Sequence, residues 1–256
     1  MTSASSLHSI VGALAFSLVA GKLAAAERIV DIQKPSALGK DQDAYPRIVA
    51  PADEAEQRIN AAVARLDARL VKGVAECGRN GGRNAEWTRT VEVTMRGPRY
   101  LSYSITDNAS CGGAHPDIGD TAIVYDLTTG APVDWSQLLP PQLVGTVALS
   151  ETMDGTKMVT LQSKRLYELY MQQYRLGSHA SDKDCIEAVE EAGADGPPAM
   201  TPYLDAQTGG LGIEFDMAHA VEACADQVVL PLATLRAEKT PELTLKAIEA
   251  AHAAGK

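Results

Sequence analysis

Basic residues are scarce in this chain: 23 Lys and Arg stand against 33 Asp and Glu in 256 residues, a formal net charge of −10. Binding to a phosphate backbone needs clustered Lys and Arg, so nucleic acid is excluded as a partner. Long hydrophobic runs are missing too. Ile10 to Gly21 is apolar but too short to span a bilayer, and no later segment is more apolar, so no integral membrane anchor is expected. Cys-x-x-Cys pairs are absent, which removes the usual ligand spacing of structural zinc. Gly-x-Ser-x-Gly, His-Glu-x-x-His and P-loop patterns are absent as well, and no repeat of solenoid period occurs. No cofactor and no metal are expected.

What is present is an ordinary globular composition, 45% apolar and 22% charged. The Ile10 to Gly21 run is followed by Ala24-Ala25-Ala26, the small-x-small pattern of a cleavage site, so residues 1–26 read as a secretory signal peptide. Its n-region offers only His8 and the α-amino group, and no cysteine follows it to carry a lipid. Removing it takes away Lys22, so that 22 basic residues face 33 acidic ones, a net charge of −11. A periplasmic or secreted location also suits the cysteines. Cys77, Cys111, Cys185 and Cys224 all lie in the mature region, an even number as expected in an oxidising compartment. Four cysteines allow three pairings, and sequence proximity favours Cys77 with Cys111 and Cys185 with Cys224. Loops of that size would each contribute roughly 4 kcal/mol in the chain-entropy account.

Residues 27–44 read as an exposed lead-in, 45–240 as one α+β domain and 241–256 as a terminal helix and fraying tail. Pro51 and Asp53 start a helix whose apolar stripe is Ile59, Ala62, Val63, Leu66, Leu70 and Val74, with Glu56, Arg58, Arg65, Asp67 and Arg69 as a solvated face and Cys77 at its end. Gly78 to Asn84 is a loop by composition. Trp87 to Met95, Tyr100 to Thr106 and Thr121 to Leu127 alternate with the period of half-buried strands, giving an antiparallel meander packed on one face by helices. Further on come a helical turn at Asp134 to Leu139 and helices at Thr160 to Leu176 and Asp182 to Glu191. A hairpin joins Met200–Asp205 to Leu211–Asp216, and Val228 to Leu230 is the last strand.

Four landmarks fall in order: the helix before the meander, Gly112-Gly113-Ala114-His115-Pro116, Tyr125-Asp126-Leu127-Thr128-Thr129-Gly130, and Gly212-Ile213-Glu214-Phe215-Asp216 with Val228-Val229-Leu230-Pro231. In that order, over about residues 45–236, the chain resembles the RsiV-like family. This is an α+β extracytoplasmic domain found in a lysozyme-sensing anti-sigma factor and in the non-catalytic part of a peptidoglycan deacetylase. The resemblance implies a module that binds without catalysis, with a basic protein such as lysozyme or a cell-wall glycan as its partner. The chain is expected to carry neither the membrane helix and sigma-binding segment nor the deacetylase domain, so the module stands alone.

The binding candidates are Gly112, Gly113, His115, Asp117 and Asp126. His115, near Asp117, Asp120 and Asp126, could serve a metal or acid–base chemistry, and the alternative reading is a cell-envelope glycan hydrolase or deacetylase that uses it. A histidine in a turn more often satisfies backbone carbonyls and packs on a tyrosine, which is the expectation here. His179 and His219 stand singly. Cys111 is expected in a disulfide rather than as a nucleophile. Asp53, Glu54 and Glu56, or Glu187, Glu190 and Glu191, resemble glycosidase carboxylates only in composition, and charge runs on helices are usually surface.

Overall fold

The computed structural model describes residues 28–113 and 115–255; the expected signal peptide, 1–26, lies outside them. Two short antiparallel strands, β1 (Ile32–Gln33) and β2 (Arg47–Ile48), precede the long helix α1 (Glu54–Gly81). Asp53 caps α1, its carboxylate accepting from the Glu56 N–H at 2.9 Å. The meander follows as β3 (Glu86–Arg96), β4 (Tyr100–Ser110) and β5 (Asp117–Asp126), paired antiparallel in that order. Next come α2 (Trp135–Leu138), α3 (Pro141–Val144), the hairpin β6 (Thr146–Glu151) and β7 (Lys157–Gln162), α4 (Lys164–Tyr174) and α5 (Lys183–Ala192). A second antiparallel sheet, in order β10-β9-β8, is formed by β8 (Thr201–Asp205), β9 (Gly210–Glu214) and β10 (Val228–Pro231); α6 (Leu232–Ala237) and α7 (Glu242–Ala254) end the chain.

The fold is α+β, as the alternating patterns imply. Ile59, Val63 and Leu70 of α1 are fully buried, and the first two share a core with Val91, Leu101, Tyr103, Ile105 and Tyr125 of the meander. The other face of β4 is not solvent. Ser102 and Ser104 are buried there under the second sheet, and the Leu204 N–H donates to Ser102 Oγ at 3.1 Å. The meander is therefore covered by α1 on one side and by a sheet on the other, with a larger core beyond it built on Tyr170, Tyr203, Leu211, Ile213, Leu230 and Ile248. Buried hydroxyls are tolerated between the sheets because the backbone of one supplies partners for the side chains of the other.

Several expectations are corrected. Helix α1 continues past Cys77 to Gly81, and Gly82–Asn84 forms a 3-10 turn rather than open loop. The cause is tertiary: the Cys77–Cys111 disulfide and the tip of the β4–β5 hairpin hold the last turn in place. Glu56 and Asp67, expected on the solvated face of α1, are buried. Arg28 donates to both Glu56 carboxylate oxygens at 2.7 Å, and Asp67 accepts from the Tyr45 N–H at 3.0 Å and from Arg47. These cations come from the segment before the helix, which periodicity cannot see. Within that segment Val30 and Ala44 are buried, so the lead-in is tied down at both ends. The helix expected from Thr160 starts at Lys164 behind a Ser163 cap, because Thr160 to Gln162 belong to β7. The C-terminus does not fray at His252: its Nδ1 lies 2.8 Å from the Ala206 carbonyl, and Ala251 is buried.

The two ends of β5 reach the two ends of α1. Gly130 has φ 72°, and a Cβ there would meet the Ala55 carbonyl at 2.4 Å; Gly112 has φ 95°, and a Cβ there would meet the Asn80 carbonyl at 3.0 Å. Replacing either with alanine adds backbone strain to a clash, so Gly130→Ala is expected to cost about 1–3 kcal/mol in urea unfolding. The guanidinium of Arg89, 4% exposed, donates to Asp107 at 2.7 and 2.6 Å and to Asp154 at 3.3 Å. Arg89→Met would strand two buried carboxylates, and a loss of about 3–5 kcal/mol is expected in the same measurement.

Candidate functional site

A cleft of about 370 Å³ opens between the β4–β5 hairpin, the β6–β7 hairpin and the segment that follows β9. Asp117 and Asp120 of β5, Glu151 at the end of β6, Asp216 after β9, Glu222 in the 3-10 turn His219–Cys224 and Asp107 of β4 all line it. Met153, Met158, Met217 and Ile118 supply its apolar surface. No lining residue is Lys, Arg or His among the described residues. Asp107 is neutralised from behind by Arg89 and also accepts from Trp87 Nε1 at 2.8 Å.

Strand geometry places the acids. Asp120 stands opposite Thr106, whose hydroxyl donates to its carboxylate at 2.6 Å, and the Asp120 N–H donates to Asp216 Oδ1 at 3.0 Å. That last bond joins the two sheets at the cleft. Burial raises the Asp120 pKa, the Thr106 hydroxyl opposes it, and the negative charge of Asp107 adds to it. Burial likewise raises Asp216, with the Asp120 amide opposing and the Asp120 carboxylate reinforcing. Next to this pair lies Glu214, 2% exposed, with neither carboxylate oxygen hydrogen-bonded. Burial pushes its pKa well above the usual value, Asp120 and Asp216 push further, and the nearby Gln227 side chain opposes the shift and is outweighed. The Gln227 amide is already engaged: its oxygen accepts from the Tyr203 hydroxyl at 3.2 Å and its nitrogen donates to Ser104 Oγ at 3.4 Å.

Of the five binding candidates only Asp117 lines this cleft, together with Asp120, which the sequence also placed near His115. Gly112 and Gly113 form the β4–β5 turn, where Gly112 packs on the end of α1. His115 is exposed in the same turn, so the expected packing of its ring on a tyrosine is not what the fold provides; a hairpin tip directs its side chains outward. Asp126 ends β5 at the opposite extreme, about 30 Å of extended chain from Asp117. There it pairs with Arg99 at 2.9 Å and accepts from the Thr128 N–H at 2.7 Å. The five residues therefore form no single site.

The cysteines pair as proximity favours, Cys77 with Cys111 and Cys185 with Cys224, leaving none free. His179, Asp182 and Cys185 have atoms close enough to suggest a metal centre. The Cys185 sulfur is consumed in a disulfide, the Asp182 carboxylate caps the Cys185 N–H at 3.1 Å, and the His179 ring stacks on Tyr174. A coordinating thiolate is therefore unavailable. Glu187, Glu190 and Glu191 are exposed on α5. Asp107, Glu151, Asp216 and Glu214 were not singled out from sequence. Glu214 left one trace: it shares a face with Gly212 on an otherwise apolar strand, and Gly212 is small because the Tyr203 ring lies against it.

Fold and cleft together define an α+β protein stapled by two disulfides around an acidic recess; among the described residues no helix is long and apolar enough to cross a membrane. No family model and no curated protein matches the chain. Among solved structures, a DUF3298 family member from Bacteroides fragilis is similar at 13% identity over 87% of this chain and 96% of that one, with a TM-score of 0.49. A DUF3298 family protein from Pseudomonas aeruginosa is similar at 14% identity over 82% and 94%, with a TM-score of 0.45.

Because Glu214 keeps its proton in the folded protein at pH values where the unfolded chain has released it, it makes stability fall as pH rises from the ordinary Glu range through the raised folded value. Glu214→Gln removes that decline. Its melting temperature is expected to exceed that of the parent near about pH 7 and to match it near about pH 4. Parallel melting profiles for the two proteins would contradict this account of the buried carboxyl.

Proposed function

We propose that this protein is an extracytoplasmic binding module whose acidic cleft receives a cationic group of a basic, envelope-active partner, with lysozyme as the model of that partner class. The observation that carries the reading is the desolvated pair Asp120 and Asp216, joined across the two sheets in a recess whose described lining residues include no Lys, Arg or His. A desolvated carboxyl such as Asp120 or Asp216 is in deficit until a positive charge arrives, so an ammonium or guanidinium gains there what water does not supply. The mature charge of −11 adds long-range attraction, two disulfides fit an exported protein, and the RsiV-like resemblance points to the same class of partner.

Hydrolysis or deacetylation of envelope glycan through His115 has less to stand on. His115 is exposed in a turn outside the cleft, and the one strongly perturbed acid, Glu214, is sealed from any substrate.

Calorimetric titration with lysozyme tests the reading. Binding should weaken steadily as salt is raised, and Asp120→Asn and Asp216→Asn should each weaken it several-fold at low salt while a cell-wall glycan fragment fails to compete. Acidification should weaken it before ordinary aspartates titrate, since both raised carboxyls lose their charge early. Binding indifferent to salt and to both substitutions would refute the cleft as the contact.

A further inference from the structure

Metal donors gather where α5 begins. His179, Asp182 and Cys185 follow one another three residues apart around the N-terminus of that helix, and one donor atom of each lies within 4.8 Å of the others. The fourth donor is already beside them, because the Cys224 sulfur is bonded to that of Cys185. Donors at zinc bond lengths of about 2.0–2.3 Å stand about 3.3–3.8 Å apart in a tetrahedron, so two cysteines, a histidine and an aspartate placed in this way need only small side-chain movements to close on one ion. Contacts other than the disulfide hold these groups. The Tyr174 ring stacks on His179 with centroids 5.7 Å apart while its hydroxyl donates to the Cys224 carbonyl at 2.8 Å, so one buried side chain of α4 positions donors from two segments. Asp182 keeps its place by capping the Cys185 N–H. Both cysteines are 8% exposed, His179 is half-buried and Asp182 is exposed, so the set reaches solvent on the aspartate side. Cys77 of the other disulfide lies instead in an apolar cluster with Leu70, Trp87 and Ala109.

We propose that the Cys185–Cys224 disulfide is the oxidised form of a zinc site: a thiol reductant opens it, and Cys185, Cys224, His179 and Asp182 then hold one Zn²⁺. While the sulfurs are bonded to each other neither can ligate; reduction frees both. The disulfide accepts two electrons and two protons from two thiol molecules, which leave as their own disulfide, and Zn²⁺ then displaces the two cysteine thiol protons to water. Two thiolates and an imidazole select zinc over calcium or magnesium, whose ligands are oxygens. The N-terminus of α5 favours the thiolate of Cys185. Bound zinc takes over from the covalent bond in tying the turn His219–Cys224 to α5. The inference is independent of what occupies the acidic cleft.

Reading each disulfide separately tests the site. The native protein is equilibrated under nitrogen in graded glutathione buffers with and without Zn²⁺, its thiols are alkylated, and each cysteine pair is measured by peptide mass spectrometry. Free zinc at about ten times its Kd should shift Cys185–Cys224 toward the dithiol by about tenfold and leave Cys77–Cys111 unmoved. Co²⁺ added to the reduced protein should give a thiolate charge-transfer band and the intense visible bands of a tetrahedral ion, both lost when Zn²⁺ follows. His179→Phe, which keeps a ring on Tyr174, and Asp182→Asn, which still caps α5, should each weaken zinc at least about tenfold and leave the melting temperature of the oxidised protein unchanged. No shift with zinc, or an equal shift at both disulfides, would overturn the site. So would a zinc affinity that both substitutions leave intact, since the sulfurs alone would then account for it. Cobalt bands that persist in Cys185→Ser with Cys224→Ser would assign the metal to Cys77 and Cys111 and refute the proposal as well.

Discussion

The ion cluster of Arg89, Asp107 and Asp154 holds three separate pieces of chain at one point. Arg89 belongs to β3, Asp107 to β4 and Asp154 to the turn between β6 and β7, and all three side chains are 5% exposed or less. The Arg89 backbone engages the N-terminal segment as well, donating to the Asp41 carbonyl at 2.9 Å and accepting from the Asp43 N–H at 3.0 Å. A buried guanidinium is tolerated only when its donors are used, and here the fork of Asp107 and the oxygen of Asp154 use them. Asp154 responds in kind: burial alone would raise its pKa, yet hydrogen bonds from Thr152 and Thr156 and the charge of Arg89 hold it below the usual value. The β6–β7 hairpin is thereby pinned beside the end of the meander. Without that anchor the cleft would lack one of its walls.

Around this anchor, the most distinctive sequence motifs turn out to serve architecture. Gly112 and Gly130 stand at the two turns flanking β5, and each accepts the backbone of α1, one at its last turn and one at its first. Asp126, within the second motif, stabilises its own turn and the Arg99 side chain. Such glycines are demanded because helix and turn approach to a distance that no Cβ allows. The recess lies between the motifs, along the strand they hold, where Asp117 and Asp120 line it.

Electrostatics gives the recess its character. Arg28, Arg47 and Arg99 are spent on Glu56, Asp67 and Asp126 elsewhere in the fold, and Arg89 neutralises Asp107 in the wall of the recess. Asp120 and Asp216 are bound to each other through a backbone amide, and the Glu214 carboxyl beside them has only the nearby Gln227 side chain to meet it. Natural interiors rarely leave a carboxyl unsatisfied, and Glu214 limits that cost by keeping its proton.

Much of the scaffold was legible in advance. Period-two alternation marked β3, β4 and β5, helical spacing and the Asp53 cap marked α1, and the nearest-neighbour pairing of four cysteines matched both disulfides. These features are local, and local backbone preference together with the choice of apolar face is written into neighbouring residues. The β6–β7 hairpin, the burial of Glu56 and Asp67 and the extension of α1 past Cys77 were not legible, since each depends on a partner distant in sequence: Met200, Arg28, Arg47 and Cys111 respectively. The cleft belongs to the same kind. Asp120 and Asp216 are ordinary acids along the chain, and only the stacking of one sheet on another brings them within a hydrogen bond of each other, removes their water and raises their pKa values.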